Sequence, residues 1–110
     1  MTLEDKIGQM LMVGFHGLEA PAYLLDWVRT GRVGGVILFG RNVESPAQLA
    51  RLTQSFHAVA KFPLLIGIDQ EGGTVSRLRD GFCESPGAMA LSAAQDGPML
   101  AEQADRILAI

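Results

Sequence analysis

Three short apolar runs set the strongest limit on what this chain can fold into. They occupy residues 10–15, 35–39 and 64–68, reading Met-Leu-Met-Val-Gly-Phe, Gly-Val-Ile-Leu-Phe and Leu-Leu-Ile-Gly-Ile. Each has strand length and is rich in branched or aromatic residues. None alternates apolar with polar, and continuous apolar runs suit strands covered on both faces, as in parallel sheets. Their spacing of roughly 25–30 residues leaves room for a helical crossover between neighbours.

Helical signals fill the gaps. Ser45 can cap a first turn, Pro46 suits the first helical position, and Gln48 can reach back as the capping-box partner. Leu49, Leu52, Phe56 and Val59 then recur at three- and four-residue steps, with Arg51 and Gln54 off that stripe, which predicts a helix over 46–60. An earlier helix is predicted over 21–30, with Gly31 as its stop. From Thr2 the chain reads as one or two helical turns with acids near the N-terminus. The order is strand, helix, strand, helix, strand, and the expected class is α/β with three parallel strands.

Residues 69–98 hold many Gly, Ser and Pro and few apolar runs, so a long irregular connection is expected there, of a length often tied to function. A final helix is expected from Asp96, with Leu100, Ala101, Ala104, Ile107 and Leu108 as its apolar stripe. It reaches Ile110 with no glycine cap and no basic last turn, the expected look of a chain cut inside an element.

Composition narrows the function classes. With 48% apolar and 19% charged residues, the 110-residue chain is globular and one domain at most. It is short of the ~250 residues of a closed eight-unit barrel. The net charge is -3 and the nine basic residues are scattered, so neither nucleic acid nor an anionic membrane surface is an expected partner. No apolar run reaches the ~18 residues of a membrane span. One cysteine, Cys83, leaves no internal disulfide and no cysteine-rich zinc site, and it is expected to be a small buried or half-buried residue. The first residues lack the basic start and apolar core of a signal peptide, so a reducing, cytoplasmic setting is the expectation.

Parallel α/β folds bind ligands beyond the carboxyl ends of their strands. That rule selects His16 and Gly17, then Gly40, Arg41 and Asn42, then 69–73, Asp-Gln-Glu-Gly-Gly, the most polar and glycine-dense of the three. Asp69 and Glu71, two apart, share a face of an extended segment and can form a general acid–base pair. The alternative is structural, with Glu71 paired to Arg77 or Arg79 while the glycines turn the chain. Carboxylates with no nearby histidine make a weak metal site. Gly72-Gly73-Thr74 matches neither the P-loop nor the dinucleotide fingerprint. His16 is expected to be a loop hydrogen-bonder. Arg41 is either a solvated charge or an anion contact.

Residues 68–78, Ile-Asp-Gln-Glu-Gly-Gly-Thr-Val-Ser-Arg-Leu, closely resemble the signature of glycoside hydrolase family 3, in its bacterial β-N-acetylhexosaminidase branch. Residues 7–15 and 34–42 resemble the family's first and second strands, and 85–91 the segment after the signature. The resemblance covers nearly the whole chain in order and spacing. It implies the N-terminal portion of a TIM-like barrel spanning 1–110. It also implies an enzyme that removes terminal β-linked N-acetylglucosamine with retention, through a glycosyl intermediate on an aspartate, without a cofactor. Asp69 then binds hydroxyls of the terminal sugar, Arg77 belongs to the same substrate-binding set, and Glu71 supports. Binding replaces the acid–base role for Asp69, since an ionised carboxylate orients sugar hydroxyls without proton transfer. Thr74 and Ser76 stand where the family commonly has arginine and glutamine, a change that bears on loop anchoring. The family's lysine–histidine sugar-binding pair, acid–base loop and nucleophile lie further along, so no catalytic residue is expected in this chain and the chain alone is expected to be inactive. The competing readings are a non-catalytic α/β module that binds a saccharide or partner chain, and a decayed fragment. Three strands of an expected eight leave open edges, which predicts self-association.

Overall fold

The computed structural model describes residues 1–94, 97, 98 and 102. The expected helix from Asp96, with its stripe at Leu100, Ala101, Ala104, Ile107 and Leu108, lies outside the described residues. The elements run α1 (Leu3–Gly8), β1 (Met12–Val13), α2 (Ala22–Thr30), β2 (Gly35–Leu38), a 3-10 turn (Gly40–Asn42), α3 (Pro46–Val59), β3 (Leu65–Ile68) and α4 (Ala88–Ala94). Met1–Ile68 form one compact unit and residues from Asp69 onward a second.

The first unit is the expected parallel α/β layer. Its sheet has the order β1-β2-β3, both pairings parallel, with Met12 beside Gly35 and Gly35 beside Leu65. Thr2 opens α1 with a capping box: its Oγ1 accepts from Asp5 N (3.1 Å), and Asp5 Oδ2 accepts from Thr2 N (2.9 Å). Gly31 ends α2 in the left-handed region at φ 80°, a conformation that glycine adopts without Cβ strain. Ser45 caps α3, its Oγ accepting from Gln48 N at 3.2 Å. The Gln48 side chain departs from the expected capping box, because its Oε1 accepts from Glu44 N (3.0 Å), one residue before the cap.

Successive strand residues point to opposite faces. Val36 and Leu38 of β2 are buried in a cluster with Phe15, Leu24, Val28, Val33, Leu52, Phe56 and Leu64, and Val13, Ile66 and Ile68 pack against it. Phe15 meets Phe56 edge-on, ring centroids 5.6 Å apart. Helices α2 and α3 pack on each other and supply the helical side of that core. On the opposite face Met12 and Leu65 stand 45% and 69% exposed. The expectation of strands covered on both faces therefore holds for one face among the described residues.

Two boundaries differ from expectation. β1 is two residues long rather than six. Met10 and Leu11 instead close the turn that follows α1, since Met10 N donates to Ile7 O and Leu11 N to Gly8 O. Residues 69–98 are not wholly irregular, because α4 forms within them from Ala88-Met89-Ala90-Leu91-Ser92-Ala93-Ala94, an alanine-rich run of high helix propensity. No helix among the described residues is long and apolar enough to cross a membrane.

Candidate functional site

The loops after β1 and β2 are bound to each other by buried amides. Asn42, fully buried, donates from Nδ2 to Phe15 O (3.2 Å) and Gly17 O (2.8 Å), and its Oδ1 accepts from Phe39 N (3.0 Å). Gln48 Nε2 donates to Leu18 O (2.7 Å) and Asn42 O (3.2 Å). Arg41 donates from Nε to Phe15 O (3.0 Å), and its guanidinium carbon lies 4.4 Å from the Phe39 ring centroid. Arg41 is an exposed loop charge, one of the two readings expected of it, and its guanidinium also braces the loops. His16 is exposed and makes no hydrogen bond among the described residues, which corrects its expected role as a loop hydrogen-bonder.

The second unit begins directly after β3 with Asp69, which is exposed and has no hydrogen bond or ion pair among the described residues. A carboxylate in that state keeps its oxygens available to donors from a ligand. Gln70, next in the chain, turns back toward the arginine of the same segment. Its Oε1 accepts from Arg77 N (2.7 Å) and Leu78 N (3.0 Å), while its Nε2 donates to Ser76 Oγ (3.0 Å) and Leu78 O (3.2 Å). Both lone pairs and both protons of the carboxamide are therefore used. Between these ends the chain makes a tight turn, with Glu71 N and Gly72 N donating to Val75 O (2.9 and 3.0 Å). Gly72 must be glycine there: its φ is 80°, and a Cβ would sit 2.5 Å from Ser85 O.

Arg77 is half-buried, and its Nε is buried without a hydrogen-bond partner among the described residues. An unpaired buried guanidinium N–H is costly, and an acceptor arriving from a ligand would relieve it. The expected ion pair of Glu71 with Arg77 or Arg79 does not form among the described residues. Arg79 instead faces Glu84 at 3.8 Å and donates from Nε to Ser76 O (3.3 Å). Ser76, where the resemblance placed a departure, is buried and donates from Oγ to Leu78 O (3.2 Å), while Thr74 is exposed. An open hollow of about 510 Å³ borders the turn, lined by residues 71–75 and 86–90, and neither Asp69 nor Arg77 lines it. Cys83 is exposed, where a buried or half-buried residue was expected. Among the described residues no three His, Cys, Asp or Glu side chains converge as metal ligands would.

The family model described as the glycosyl hydrolase family 3 N-terminal domain matches residues 2–109. The chain belongs to glycoside hydrolase family 3. A β-hexosaminidase of Nitrosomonas eutropha is 61% identical over 64 residues, 58% of this chain and 18% of that protein. A β-hexosaminidase of Vibrio cholerae is 49% identical over 99 residues, 90% of this chain and 30% of that protein. Among solved structures, the glycoside hydrolase family 3 β-N-acetylglucosaminidase of Paenibacillus sp. superimposes with a TM-score of 0.89 at 45% identity, over 97% of this chain and 21% of that one. Neisseria gonorrhoeae NagZ in complex with N-trifluoroacetyl-D-glucosamine superimposes with a TM-score of 0.64 at 32% identity, over 69% of this chain and 22% of that one. The chain thus spans less than a third of the length of these relatives. In family terms it supplies the first three parallel strands and the signature loop.

Residue-type reasoning named Asn42, Gln48 and Gln70 but missed the roles of their amides in building these loops. All are neutral amides, and no charge marks them as hydrogen-bonding hubs. The one available signal was their position, since Asn42 and Gln70 each stand just beyond a strand end.

Proposed function

We propose that this chain is the N-terminal part of a retaining β-N-acetylhexosaminidase barrel and carries part of its sugar site. In this reading Asp69 accepts hydrogen bonds from hydroxyls of a terminal β-linked N-acetylglucosamine, and Arg77 donates to the same sugar. The observation that carries it is the signature loop itself. Among the described residues it leaves the Asp69 carboxylate without a partner and the Arg77 Nε proton without an acceptor, on a segment whose backbone is held by Gln70. Retaining hydrolysis needs a nucleophilic carboxylate and an acid–base group on either side of one bond. In the proposed enzyme both come from the rest of the barrel, and Asp69 and Arg77 contribute orientation. The exposed Cys83 thiol suits a reducing, cytoplasmic compartment, which fractionation with an antibody against the chain would test.

The deciding experiment is kinetics of the full-length barrel on a chromogenic N-acetylglucosaminide. Charge-assisted hydrogen bonds are worth ~1.5–3 kcal/mol each. Loss of two in Asp69→Ala lowers kcat/KM by about two to four orders of magnitude. Asp69→Asn is milder, since an amide oxygen still accepts. The pH–rate profile of both keeps its shape, because neither change touches the groups that move protons. Loss of one limb of that profile would return Asp69 to acid–base duty, and near-normal kcat/KM in Asp69→Ala would remove it from the site. The 110-residue chain by itself leaves the substrate untouched above a buffer blank.

A further inference from the structure

We infer that Gln70 is the positioning residue that holds Arg77 in place to bind the sugar; the inference rests on the binding roles proposed above for Asp69 and Arg77. Gln70 follows Asp69 covalently, and its Oε1 lies 2.7 Å from Arg77 N. One peptide unit and one carboxamide thus bridge the two binding residues, across a turn that otherwise separates them. A second bond, from Leu78 N to the same oxygen at 3.0 Å, fixes the peptide on the far side of Arg77. The amide nitrogen clamps the other side of the segment through Ser76 Oγ and Leu78 O, at 3.0 and 3.2 Å. The backbone on either side of Arg77 is therefore gripped by one side chain. A long side chain whose backbone is fixed loses less conformational freedom when it meets a ligand, so part of the ordering cost of binding is met before the sugar arrives.

The chemistry singles out glutamine. Each of its two oxygen lone pairs faces an N–H, and its two N–H groups face a hydroxyl and a carbonyl. In Gln70→Glu the acceptor oxygen is kept, but the second oxygen is turned on Leu78 O, lone pair against lone pair. Protonation of that carboxyl restores a donor. Gln70→Glu is thus expected to lose binding at neutral pH and to regain part of it on acidification, relative to the unmodified enzyme at each pH. A residue serving only as inert packing would show no such recovery.

The test uses the full-length enzyme with Gln70→Ala, Gln70→Glu, Asp69→Ala, Arg77→Ala and the Gln70→Ala/Arg77→Ala pair. Gln70→Ala is expected to raise KM about tenfold with kcat within about threefold, the signature of lost uniform binding. In the Arg77→Ala background the same change is expected to add less than about twofold, because Gln70 acts through Arg77. Full additivity of the two changes would overturn the inference, as would a Gln70→Ala enzyme with unchanged KM. Should Gln70→Ala fail to fold, the pH-dependent KM of Gln70→Glu decides alone, and a flat ratio to the unmodified enzyme overturns the proposal. Asp69→Ala separates the two levels: if it leaves kcat/KM intact the sugar-site reading fails, whereas a crippled Asp69→Ala beside a silent Gln70→Ala sinks only the role of Gln70.

Discussion

Asn42 shows how much a single neutral side chain can organise. Its carboxamide connects the end of β2 to the loop after β1, donating to two carbonyls and accepting from Phe39 N. In Asn42→Ala Phe39 N and Gly17 O lose this partner, and Phe15 O keeps only Arg41 Nε. The expected loss of stability is about 2–4 kcal/mol, read from the urea midpoint with an unchanged m-value. Asn42→Asp is expected to be worse near neutral pH, since a carboxylate oxygen would face Phe15 O and Gly17 O, and to improve as acid returns a proton. An alanine variant as stable as the parent would mean water replaces all three bonds. Gln70 is the counterpart in the signature loop, and both residues show the same logic: an amide offers donors and acceptors together, and loop backbones need both.

At the scale of elements, α1 is secured to the rest of its unit from opposite ends. Asp5 caps its own helix through Thr2 and also bonds Lys61 Nζ at 2.7 Å, across 56 residues of chain. The Lys61 bond, helped by the Thr2 backbone N–H, holds the Asp5 carboxyl below its ordinary 3.8. A depressed carboxyl stabilises the fold above its unfolded value. That contribution is expected to persist from neutral pH down to about 3.8 and to be lost as pH falls further through the folded value. Lys61→Met should flatten this acid limb of the stability curve, and thermal melts of both proteins between pH 2 and 7, a range of about that width, will show it. An acid limb unchanged in the variant would assign it to other carboxylates. The other end of α1 depends on close approach. A Cβ at Gly34 would lie 2.4 Å from Gln9 O, backbone against backbone with no flexible atom to yield. Gly34→Ala is therefore expected to destabilise by about 1–3 kcal/mol through forced backbone shifts, measurable by the same denaturant titration.

For the whole molecule, the sheet is the open question of its environment. Among the described residues β1 and β3 each pair on one side only. The face away from the helices carries Met12 and Leu65 beside Gly35 and Gly67, and Met12 lies across both glycines. In an eight-stranded barrel that face is the packed interior and both edges are paired. The 110-residue chain alone is expected to associate through these edges at micromolar concentration and to melt broadly. Light scattering coupled to size exclusion tests this, and a sharp monomer peak with a cooperative melt would show that the edges are protected.

Much of this was legible from residue patterns because the forces concerned are local. Strand runs at 35–39 and 64–68, the α3 cap at Ser45 and the α2 stop at Gly31 follow from apolar continuity, capping chemistry and the conformational freedom of glycine. The signature from Asp69 to Arg77 marked the loop and the family for the same reason, since its residue types are written in order along one stretch. Tertiary structure decided the rest. Whether Met10 and Leu11 join a strand or close a helix depends on where α1 ends against Gly31 and Gly34. Whether Glu71 pairs with an arginine depends on a turn that points Arg79 toward Glu84. Asn42 and Gln70 are marked in the sequence only by their places just beyond strand ends. Their importance comes from backbone groups that only the folded chain brings within hydrogen-bonding distance of their amides.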